Sequence, residues 1–397
     1  MSQPGPGMPS LTQSGLTQPS HAMMPRSTHD EAARFGYVVA LKSYLMRDVE
    51  AKLSALVDNK LAPELAVQGR DAIKEFRAVE RSLRTFGGYR SWQSLAVSAQ
   101  EMMWSTVGAC VDRQLPALER QAMQTKKIGS VVADAGFKPP RYLTTVDIHL
   151  MPGGYHATRG ETDVRQGAVF DKAASIYHMG RNGGELNDVR GHTIVQHLWD
   201  RFGASSPKRI LDMGCTVGQS TVAIAGYFPD AEVHGIDVGA ALLRYARARA
   251  ASLGRAIHFS QQSAEQTNFP DESFDLVVSS AVLHETSFQA LPRIMRECHR
   301  LLRPGGVMIH LEVPMRFENA STWSRIRGHF EAHYNNEPFW ISAQSTDIAE
   351  LARSAGLKDV QAGYQPATRA ASPTAARGFR AEPGPVHAFW YLISGRK

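Results

Sequence analysis

The sequence predicts an α/β fold in which a helical N-terminal domain precedes a mostly parallel β-sheet. In the second half of the chain, short apolar runs that end in an acid or a glycine alternate with helical patterns. In the first third, between residues 31 and 127, apolar side chains recur at the spacing of amphipathic helices. With 397 residues, of which 43% are hydrophobic, the chain is long enough to form two domains.

The N-terminal part of the chain divides into a polar tail and a helical domain. Residues 1–28 are rich in Pro, Gly, Ser, Gln and Thr and are nearly uncharged, so we expect a disordered tail. Residues 29–140 are expected to form the helical domain, with helices at 71–83 and 91–124. The last helix carries large apolar side chains that are interpreted as core or as the face of a homodimer: Trp92, Met102, Met103 and Trp104.

Residues 141–185 connect this domain to the sheet and are the predicted lid. They contain a strand-like run with a Pro-Gly-Gly turn, and a short helix that ends at Tyr177. His149, His156 and His178 lack the i,i+4 spacing of a helical metal pair, so no metal site is assigned. Metal binding, a place in a pocket wall and packing in turns all remain open for these histidines.

The motif D-x-G-x-x-x-G at residues 212–218 is the most informative part of the sequence. It follows the apolar pair Ile210-Leu211, and a second strand pattern ends in Asp237. Glycines allow a tight turn close to a ligand, and an acid after the second strand can accept both hydroxyls of a ribose. Asp212 would repel a pyrophosphate but attract the ammonium of an amino-acid tail. The motif therefore favours S-adenosylmethionine (SAM), which has no phosphate, over a dinucleotide.

Further motifs follow this turn in the same order as in a known family. They are Ser263-Ala264-Glu265, an acidic turn and apolar strand at 269–280, and Leu301-Leu302-Arg303-Pro304-Gly305-Gly306 before another strand. With these motifs, residues 190–315 resemble the class I SAM-dependent methyltransferases. The resemblance is strongest to the small-molecule type that acts in ubiquinone and menaquinone biosynthesis.

The resemblance implies a Rossmann-like seven-stranded methyltransferase sheet within a domain at residues 186–397. The last two strands are expected at 357–365 and 386–394. Residues 315–345 are rich in aromatic and polar side chains and follow the fifth strand, where the family builds a substrate cap.

The resemblance also implies which residues hold the cofactor. Asp212, Gly214 and Gly218 match the turn that holds the methionine part, and Asp237 matches the acid that binds the ribose. Ser263 departs from the family pattern, because it takes the place of an aspartate that meets the adenine amino group. The set assigned to SAM is Asp212, Gly214, Cys215, Gly218, Asp237, Val238, Ser263, Ala264 and Ser279.

Methyl transfer from a sulfonium requires alignment of the acceptor and, for a hydroxyl or an acidic carbon, removal of a proton. His284 lies just past the fourth strand, at the sheet edge where ligands bind in open α/β folds. It is the first candidate for a base or a substrate orienter, with a purely structural role as the alternative. Glu285 and His149 complete the catalytic set. Weaker candidates are His156, His333 and Glu312.

Composition argues against several classes of protein. No apolar run approaches the roughly 18 residues of a transmembrane helix, and the N-terminus lacks a secretory pattern. The three cysteines are too few and too widely spaced for a disulfide framework, so a cytoplasmic location is expected. The net charge is +6, but the arginines at 293, 296, 300 and 303 are interpreted as a solvated helix face. This interpretation argues against nucleic acid as a partner.

The sequence thus predicts a SAM-dependent methyltransferase acting on an oxygen, carbon or nitrogen atom of a small, aromatic or lipophilic metabolite. A homodimer through the N-terminal helices is left open. Two alternatives remain. One is an RNA or protein methyltransferase that docks its target on the helical domain, and the other is a SAM-binding protein without transferase activity.

Overall fold

An eight-stranded, mostly parallel β-sheet forms the centre of the computed structural model, which describes residues 20–65, 72–313, 321–382, 384 and 387–397. The strands are β1 (Ser130–Val132), β2 (Arg209–Met213), β3 (Glu232–Asp237), β4 (His258–Gln261), β5 (Phe274–Ser280), β6 (Leu302–Glu312), β7 (Lys358–Pro366) and β8 (Phe389–Arg396). Their order is β1-β4-β3-β2-β5-β6-β8-β7, and β8 runs antiparallel to both of its neighbours. The α/β fold class and the terminal antiparallel pair are confirmed.

The sheet has eight strands rather than the expected seven, because β1 adds an edge. This strand pairs in parallel with β4, and the Ser130 hydroxyl lies 2.9 Å from Nδ1 of His258. It belongs to the segment 29–140, which was assigned to the helical N-terminal domain, and no strand was predicted there. Three residues are too few to show the alternation of apolar and polar side chains that predicts a strand.

Helices cover both faces of the sheet. They are α7 (Arg141–Thr144), α8 (Arg165–Tyr177), α9 (Val189–Phe202), α10 (Gln219–Tyr227), α11 (Ala240–Ser252), α12 (Ala290–Leu301), α13 (Thr322–Tyr334), α14 (Trp340–Gln344) and α15 (Ile348–Ser354). Alternate residues of the central strands fill the two core layers: Leu211 and Val277 pack on the side of α12, while Ile210 and Val278 pack on the side of α9. This double burial explains why the strands read as continuous apolar runs.

The N-terminal region is helical up to residue 124. It comprises α1 (His29–Tyr44), a π-helical turn (Leu45–Val49), α2 (Glu50–Leu56), a second π-helical turn (Val57–Leu61), α3 (Ala62–Leu65), α4 (Ala72–Leu83), α5 (Gly87–Asp112) and α6 (Leu115–Gln124). The single long helix expected at 91–124 is two helices. Pro116 explains the break, because proline lacks an N–H group and is accommodated only in the first turn of α6.

Residues 20–28 are packed against the body of the protein, which contradicts the prediction of a disordered tail for this part of 1–28. Met23 is fully buried, and its carbonyl accepts a hydrogen bond from the Tyr245 hydroxyl at 2.9 Å. Thr28 caps α1 and exchanges hydrogen bonds with Glu31. Residues 1–19 lie outside the described part of the chain.

The strand-like run before the Pro-Gly-Gly turn contains a 3-10 turn (Ile148–Leu150) instead of a strand. Helix α15 is capped by Asp347, whose carboxylate accepts the Glu350 N–H. The nearby Ser345 donates its hydroxyl back to the carbonyl of Ile341.

The N-terminal helices and the cap expected at 315–345 form one layer above the carboxyl ends of the strands. The Trp92 ring on α5 lies 5.3 Å from the Trp323 ring and 4.6 Å from the Phe330 ring, both on α13. Residues 315–320 of the expected cap lie outside the described residues. Within the described chain, no helix has both the length and the apolar composition needed to cross a bilayer.

Candidate functional site

A cavity of about 850 Å³ lies between the carboxyl ends of the central strands and this helical layer. Its upper walls come from four separate segments, at residues 42–50, 96–104, 140–179 and 321–344. The first two belong to the N-terminal helices, so these helices line the cavity in addition to packing as core. The predicted site residues that line the cavity are His149, Gly214, Asp237, Val238, Ser263, Ala264, His284 and Glu285.

The turn after β2 has the backbone that a close ligand requires. Gly214 has a φ of +69°, and a Cβ atom built on it would lie 2.6 Å from Cγ2 of Val282. Gly218, with a φ of +73°, precedes the first turn of α10. Any side chain at Gly214 would therefore be strained and would push into the cavity wall.

Asp237 is held rigidly at the end of β3. Its Oδ2 accepts the Thr216 N–H at 2.9 Å, and its Oδ1 accepts the Gly239 N–H at 3.0 Å. Burial raises the pKa of Asp237 to about 6, against the opposing effect of these hydrogen bonds. The carboxylate borders the cavity and retains lone pairs for ligand hydroxyl groups.

A small recess beside Gly214 contains Asp212 and Arg190. Asp212 Oδ2 accepts the Thr221 hydroxyl at 2.6 Å, but its buried Oδ1 has no partner within the described residues. Burial raises the pKa of Asp212 to about 7. The Nε of Arg190 is also buried without a partner. An amino-acid tail would satisfy both groups, because its ammonium suits Asp212 and its carboxylate suits Arg190.

Arg190 was not identified from the sequence. It lies on α9, well before the glycine motif, and one arginine in a helical pattern carries no signal of its role. Cys215 lines the same recess and is buried.

Of the residues assigned to the cofactor, Ser279 and Gly218 line neither the cavity nor the recess. For Ser279 the reason is the direction of its side chain. Its hydroxyl lies 2.7 Å from Nδ1 of His310, inside the core. Successive side chains of a strand point to opposite faces, so the next residue, Ser280, lines the cavity and the recess. The Ser280 hydroxyl is buried without a partner among the described residues.

The turn after β4 forms the wall of the cavity at the end away from the recess. The Ser263 hydroxyl oxygen accepts the Glu265 N–H at 3.2 Å, which fixes this turn. Tyr142 donates its hydroxyl to Glu265 at 3.0 Å and covers the turn from the connector. Val238 and Ala264 supply apolar surface on this side of the cavity.

An ionic cluster centred on His149 forms part of the cavity wall. The His149 Nε2 is 3.0 Å from Oε1 of Glu285, and its Nδ1 is 2.9 Å from Oε1 of Glu337. Burial acts to lower the pKa of His149, but the two carboxylates outweigh this effect and raise it to about 10. Tyr155 donates its hydroxyl to Glu285 at 3.0 Å. His149 therefore carries a proton at neutral pH.

The backbone of His149 is held by the N-terminal helices. Its φ of +59° lies in the left-handed region, which is unfavourable for a residue with a side chain. Its carbonyl accepts hydrogen bonds from Nε1 of Trp104 at 2.7 Å and from Nε2 of Gln100 at 3.0 Å. Helix α5 thus fixes this residue in an unfavourable conformation.

His284 is buried beside the same cluster. Its Nδ1 lies 2.6 Å from Oε2 of Glu312, whose other oxygen accepts the N–H groups of Val282 and Leu283. Burial opposes a charge on the imidazole, yet the Glu312 carboxylate raises the pKa of His284 above its ordinary value. Its Nε2 points between Glu285 and Glu337, at 3.8 and 3.9 Å. This environment favours a protonated histidine.

Glu337 and its neighbour Asn335 were also missed in the sequence. Asn335 donates to Glu337 at 2.8 Å and to Glu331 at 2.7 Å. Of the weaker candidates, Glu312 acts on His284, whereas His156 and His333 do not line the cavity. Within the described residues, no three His, Cys, Asp or Glu side chains have a metal-binding arrangement.

Comparison with known proteins places the match on the central part of the sheet. A family model described as a methyltransferase domain matches residues 210–306. A trans-aconitate 2-methyltransferase of Methylobacterium radiotolerans is 39% identical over 113 residues, which are 28% of this chain and 40% of that protein. The ubiquinone/menaquinone biosynthesis C-methyltransferase UbiE of Vibrio campbellii is 29% identical over 163 residues, which are 38% of this chain and 61% of that protein.

The chain spans only part of the length of these relatives. A demethylmenaquinone methyltransferase of Thermus thermophilus is 33% identical over 109 residues, which are 28% of this chain and 49% of that protein. Among solved structures, a phosphoethanolamine N-methyltransferase 2 of Haemonchus contortus in complex with phosphomonomethylethanolamine and S-adenosylhomocysteine has a TM-score of 0.42 at 16% identity, and covers 57% of this chain and 58% of that chain. At this TM-score no detail of that complex can be transferred.

Proposed function

Because the chain contains a class I SAM-dependent methyltransferase domain, we propose that the protein transfers the methyl group of SAM to a small, partly apolar molecule. The observation that carries this proposal is the continuous cavity. It joins the motif at 212–218 to a chamber whose walls are helices and aromatic side chains. Such a chamber restricts the access of water and leaves room for a small acceptor next to the cofactor.

The residues of the cavity match the parts of SAM. Asp237 would accept the ribose hydroxyls, and Asp212 and Arg190 would bind the ammonium and the carboxylate of the methionine tail. Val238 and Ala264 would contact the adenine. When bound, SAM supplies an electrophilic methyl group on a positively charged sulfur.

The cluster around His149 would orient the acceptor and receive its proton. The carboxylates beside them raise the pKa of His149 to about 10 and the pKa of His284 above its ordinary value, so both histidines favour the protonated form, which donates rather than accepts a proton. We therefore assign proton acceptance to the Glu285 carboxylate, which lines the cavity directly after β5. His284 would act as a hydrogen-bond donor through Nε2. The sequence suggested that His284 acts either as a base or as a group that orients the substrate, and hydrogen-bond donation is the second of these roles.

The test combines cofactor binding with detection of turnover. The protein is incubated with SAM and a panel of small phenols, amines and acidic-carbon compounds, and S-adenosylhomocysteine is quantified by mass spectrometry. For an acceptor with a hydroxyl or acidic carbon, Glu285→Gln should lower the rate about a hundredfold, since general base catalysis contributes about this much, while S-adenosylhomocysteine affinity stays nearly unchanged.

Two controls make the result specific. Asp237→Ala should weaken S-adenosylhomocysteine binding by about 1–3 kcal/mol through loss of charge-assisted hydrogen bonds. Glu265→Gln changes a second cavity carboxylate on the adenine side and should leave the chemical step intact. If the wild-type protein fails to bind S-adenosylhomocysteine, the proposed function is wrong. If Glu285→Gln retains the full rate, the proposed base is wrong.

The alternative of an RNA or protein target receives no support from the surface. Three arginines of the basic stripe each contact a carboxylate of the chain. On α12, Arg293 pairs with Glu265 and Arg300 with Asp271, and at the start of β6 Arg303 pairs with Asp275. The N-terminal helices, which would have been the docking domain, direct side chains into the cavity.

A further inference from the structure

Most acidic side chains in the cavity wall contact a cation of the same wall. Glu285 and Glu337 flank His149. At the inner end of the cavity, Glu50 lies 3.4 Å from Arg327, which also pairs with Glu331. Each of these four acids therefore already has a cationic partner other than Lys42.

Two cations in the cavity wall have no carboxylate partner among the described residues. Arg190 lies in the recess beside Gly214, where the carboxylate of the cofactor accounts for it. Lys42 on α1 lines the cavity but not the recess. Its ammonium donates to Oε1 of Gln100 at 3.0 Å and lies 4.3 Å from the centre of the Tyr177 ring. Neither contact neutralises the charge of a lysine.

We propose that Lys42 binds an anionic group, a carboxylate or a phosphate, on the methyl acceptor. The inference rests on the proposed function, because it assigns the substrate to the same cavity. The surroundings of Lys42 favour such a ligand: Leu45, Met46 and Val97 provide apolar walls for the body of the molecule. An anion that enters this space forms a charge-assisted hydrogen bond away from bulk water, where it is strong.

The groups around Lys42 strengthen the argument. Arg327, His178, His387 and Tyr177 are titratable groups next to it, and none of them supplies a negative charge near neutral pH. The Nδ1 atoms of His178 and His387 are buried without partners among the described residues. Burial lowers the pKa of Lys42 to about 7, with the nearby Arg327 acting in the same direction. Among the described residues, Lys42 thus has no carboxylate within ion-pair distance.

Calorimetry with matched probes tests the assignment. The full chain is saturated with S-adenosylhomocysteine and titrated with benzoate against benzamide, and with phenyl phosphate against phenol. At least one anion should bind about tenfold more tightly than its neutral counterpart, because it gains a charge-assisted hydrogen bond. The pair that shows the preference identifies the carboxylate or the phosphate as the anionic group. Equal affinity within both pairs, or no binding by any probe, would overturn the inference.

Variants separate this subsite from the cofactor site. Lys42→Met should abolish the preference for the anion and leave S-adenosylhomocysteine affinity unchanged, whereas Arg190→Met should weaken the affinity for S-adenosylhomocysteine. Lys52→Met, at an exposed lysine of α2, is the matched control and should alter neither. If Lys42→Met weakens the affinity for S-adenosylhomocysteine as much as Arg190→Met does, Lys42 belongs to the cofactor site and the inference is wrong.

Proton linkage gives a second readout. An anion beside Lys42 stabilises its charged form, so binding at about pH 8 should take up a proton in wild type, as measured in buffers of different ionisation enthalpy. Lys42→Met should show no such uptake. The protein is also titrated with S-adenosylhomocysteine alone, before any probe is added. If it does not bind in that titration, the result contradicts the proposed function and not the assignment of Lys42.

Discussion

Asp212 and Asp237 show how burial changes single acidic residues of the candidate site. Both carboxyl groups are buried, and burial raises the pKa of Asp212 to about 7 and that of Asp237 to about 6. In the absence of ligand, these acids hold their protons more tightly in the folded protein than in the unfolded chain. A bound ammonium or ribose hydroxyl favours the ionised forms and therefore competes with protons.

This competition predicts a pH dependence of cofactor affinity. Affinity for S-adenosylhomocysteine should be constant above about pH 8 and should fall as the pH decreases through 7 and then 6. Below each pKa, the dissociation constant should rise by up to about tenfold per pH unit for each group that must be ionised. Calorimetry across this range measures the effect.

Asparagine variants assign the two steps. Asp212→Asn should remove the dependence between pH 8 and 7, and Asp237→Asn should remove the dependence closer to pH 6. Affinity that does not change with pH in wild type would show that these acids do not bind the ligand in their ionised form.

The sequence predicted the positions of residues that are constrained by local geometry, and it missed residues that reach the cavity only through tertiary contacts. Gly214 and Asp237 could be predicted because a turn and a strand end dictate their positions. Arg190, Glu337 and Lys42 come from three distant segments, and no spacing in the chain links them. Ser279 was assigned in place of Ser280 because strand limits cannot be placed from sequence to within one residue.

At the scale of elements, helix α5 both supports and shapes the cavity. It packs through Trp92 against α13, and it holds the carbonyl of His149 through Gln100 and Trp104. The sequence predicted a helix rich in large apolar residues here and interpreted Trp104 as core or a dimer face. The periodicity of the sequence cannot show that the indole N–H of Trp104 donates to the carbonyl of His149.

Replacement of Trp104 by phenylalanine tests this support. Trp104→Phe keeps most of the apolar volume but removes the donor to the His149 carbonyl, so stability should fall by about 1 kcal/mol, the usual contribution of one hydrogen bond. The rate of methyl transfer should fall as well, because the strained backbone of His149 loses one of its two restraints. Chemical denaturation and the assay for S-adenosylhomocysteine provide both values.

Trp199→Phe on α9 is the matched control. It removes a comparable indole donor, to the carbonyl of Ser205 at 3.3 Å, away from the cavity. It should lower stability to a similar degree without a change in the rate. Equal rates in the two variants would separate Trp104 from the function of the site.

At the scale of the whole molecule, the N-terminal segment closes the structure over a buried ionic centre. Asp171 on α8 lies 2.9 Å from Nε2 of His21 and 3.2 Å from Nε of Arg249 on α11. It also accepts a hydrogen bond from Gln219, in the first turn of the helix that follows the glycine motif. These interactions hold the pKa of Asp171 well below its usual range, although burial alone would raise it. The segment is thus part of the same structural unit as the cofactor turn.

Removal of this segment should destabilise the protein. A chain that begins at Thr28 loses the buried side chains of Met23 and Met24, each of which contributes about 1.5–3 kcal/mol through burial, and leaves Asp171 without His21. We expect a fall of several degrees in the melting temperature, measured by calorimetry. Met23→Ser in the full chain should reproduce part of the loss. An unchanged melting temperature after truncation would restore the tail prediction for residues 20–28.

The docking of Met23 also has a consequence for synthesis. Its carbonyl binds Tyr245, which lies 222 residues further along the chain. At about 5–20 residues per second, a ribosome needs roughly 10–45 seconds to reach that tyrosine after the methionine has been made. For this interval Met23 has no partner on α11, and it is available to the chaperones that meet a nascent chain.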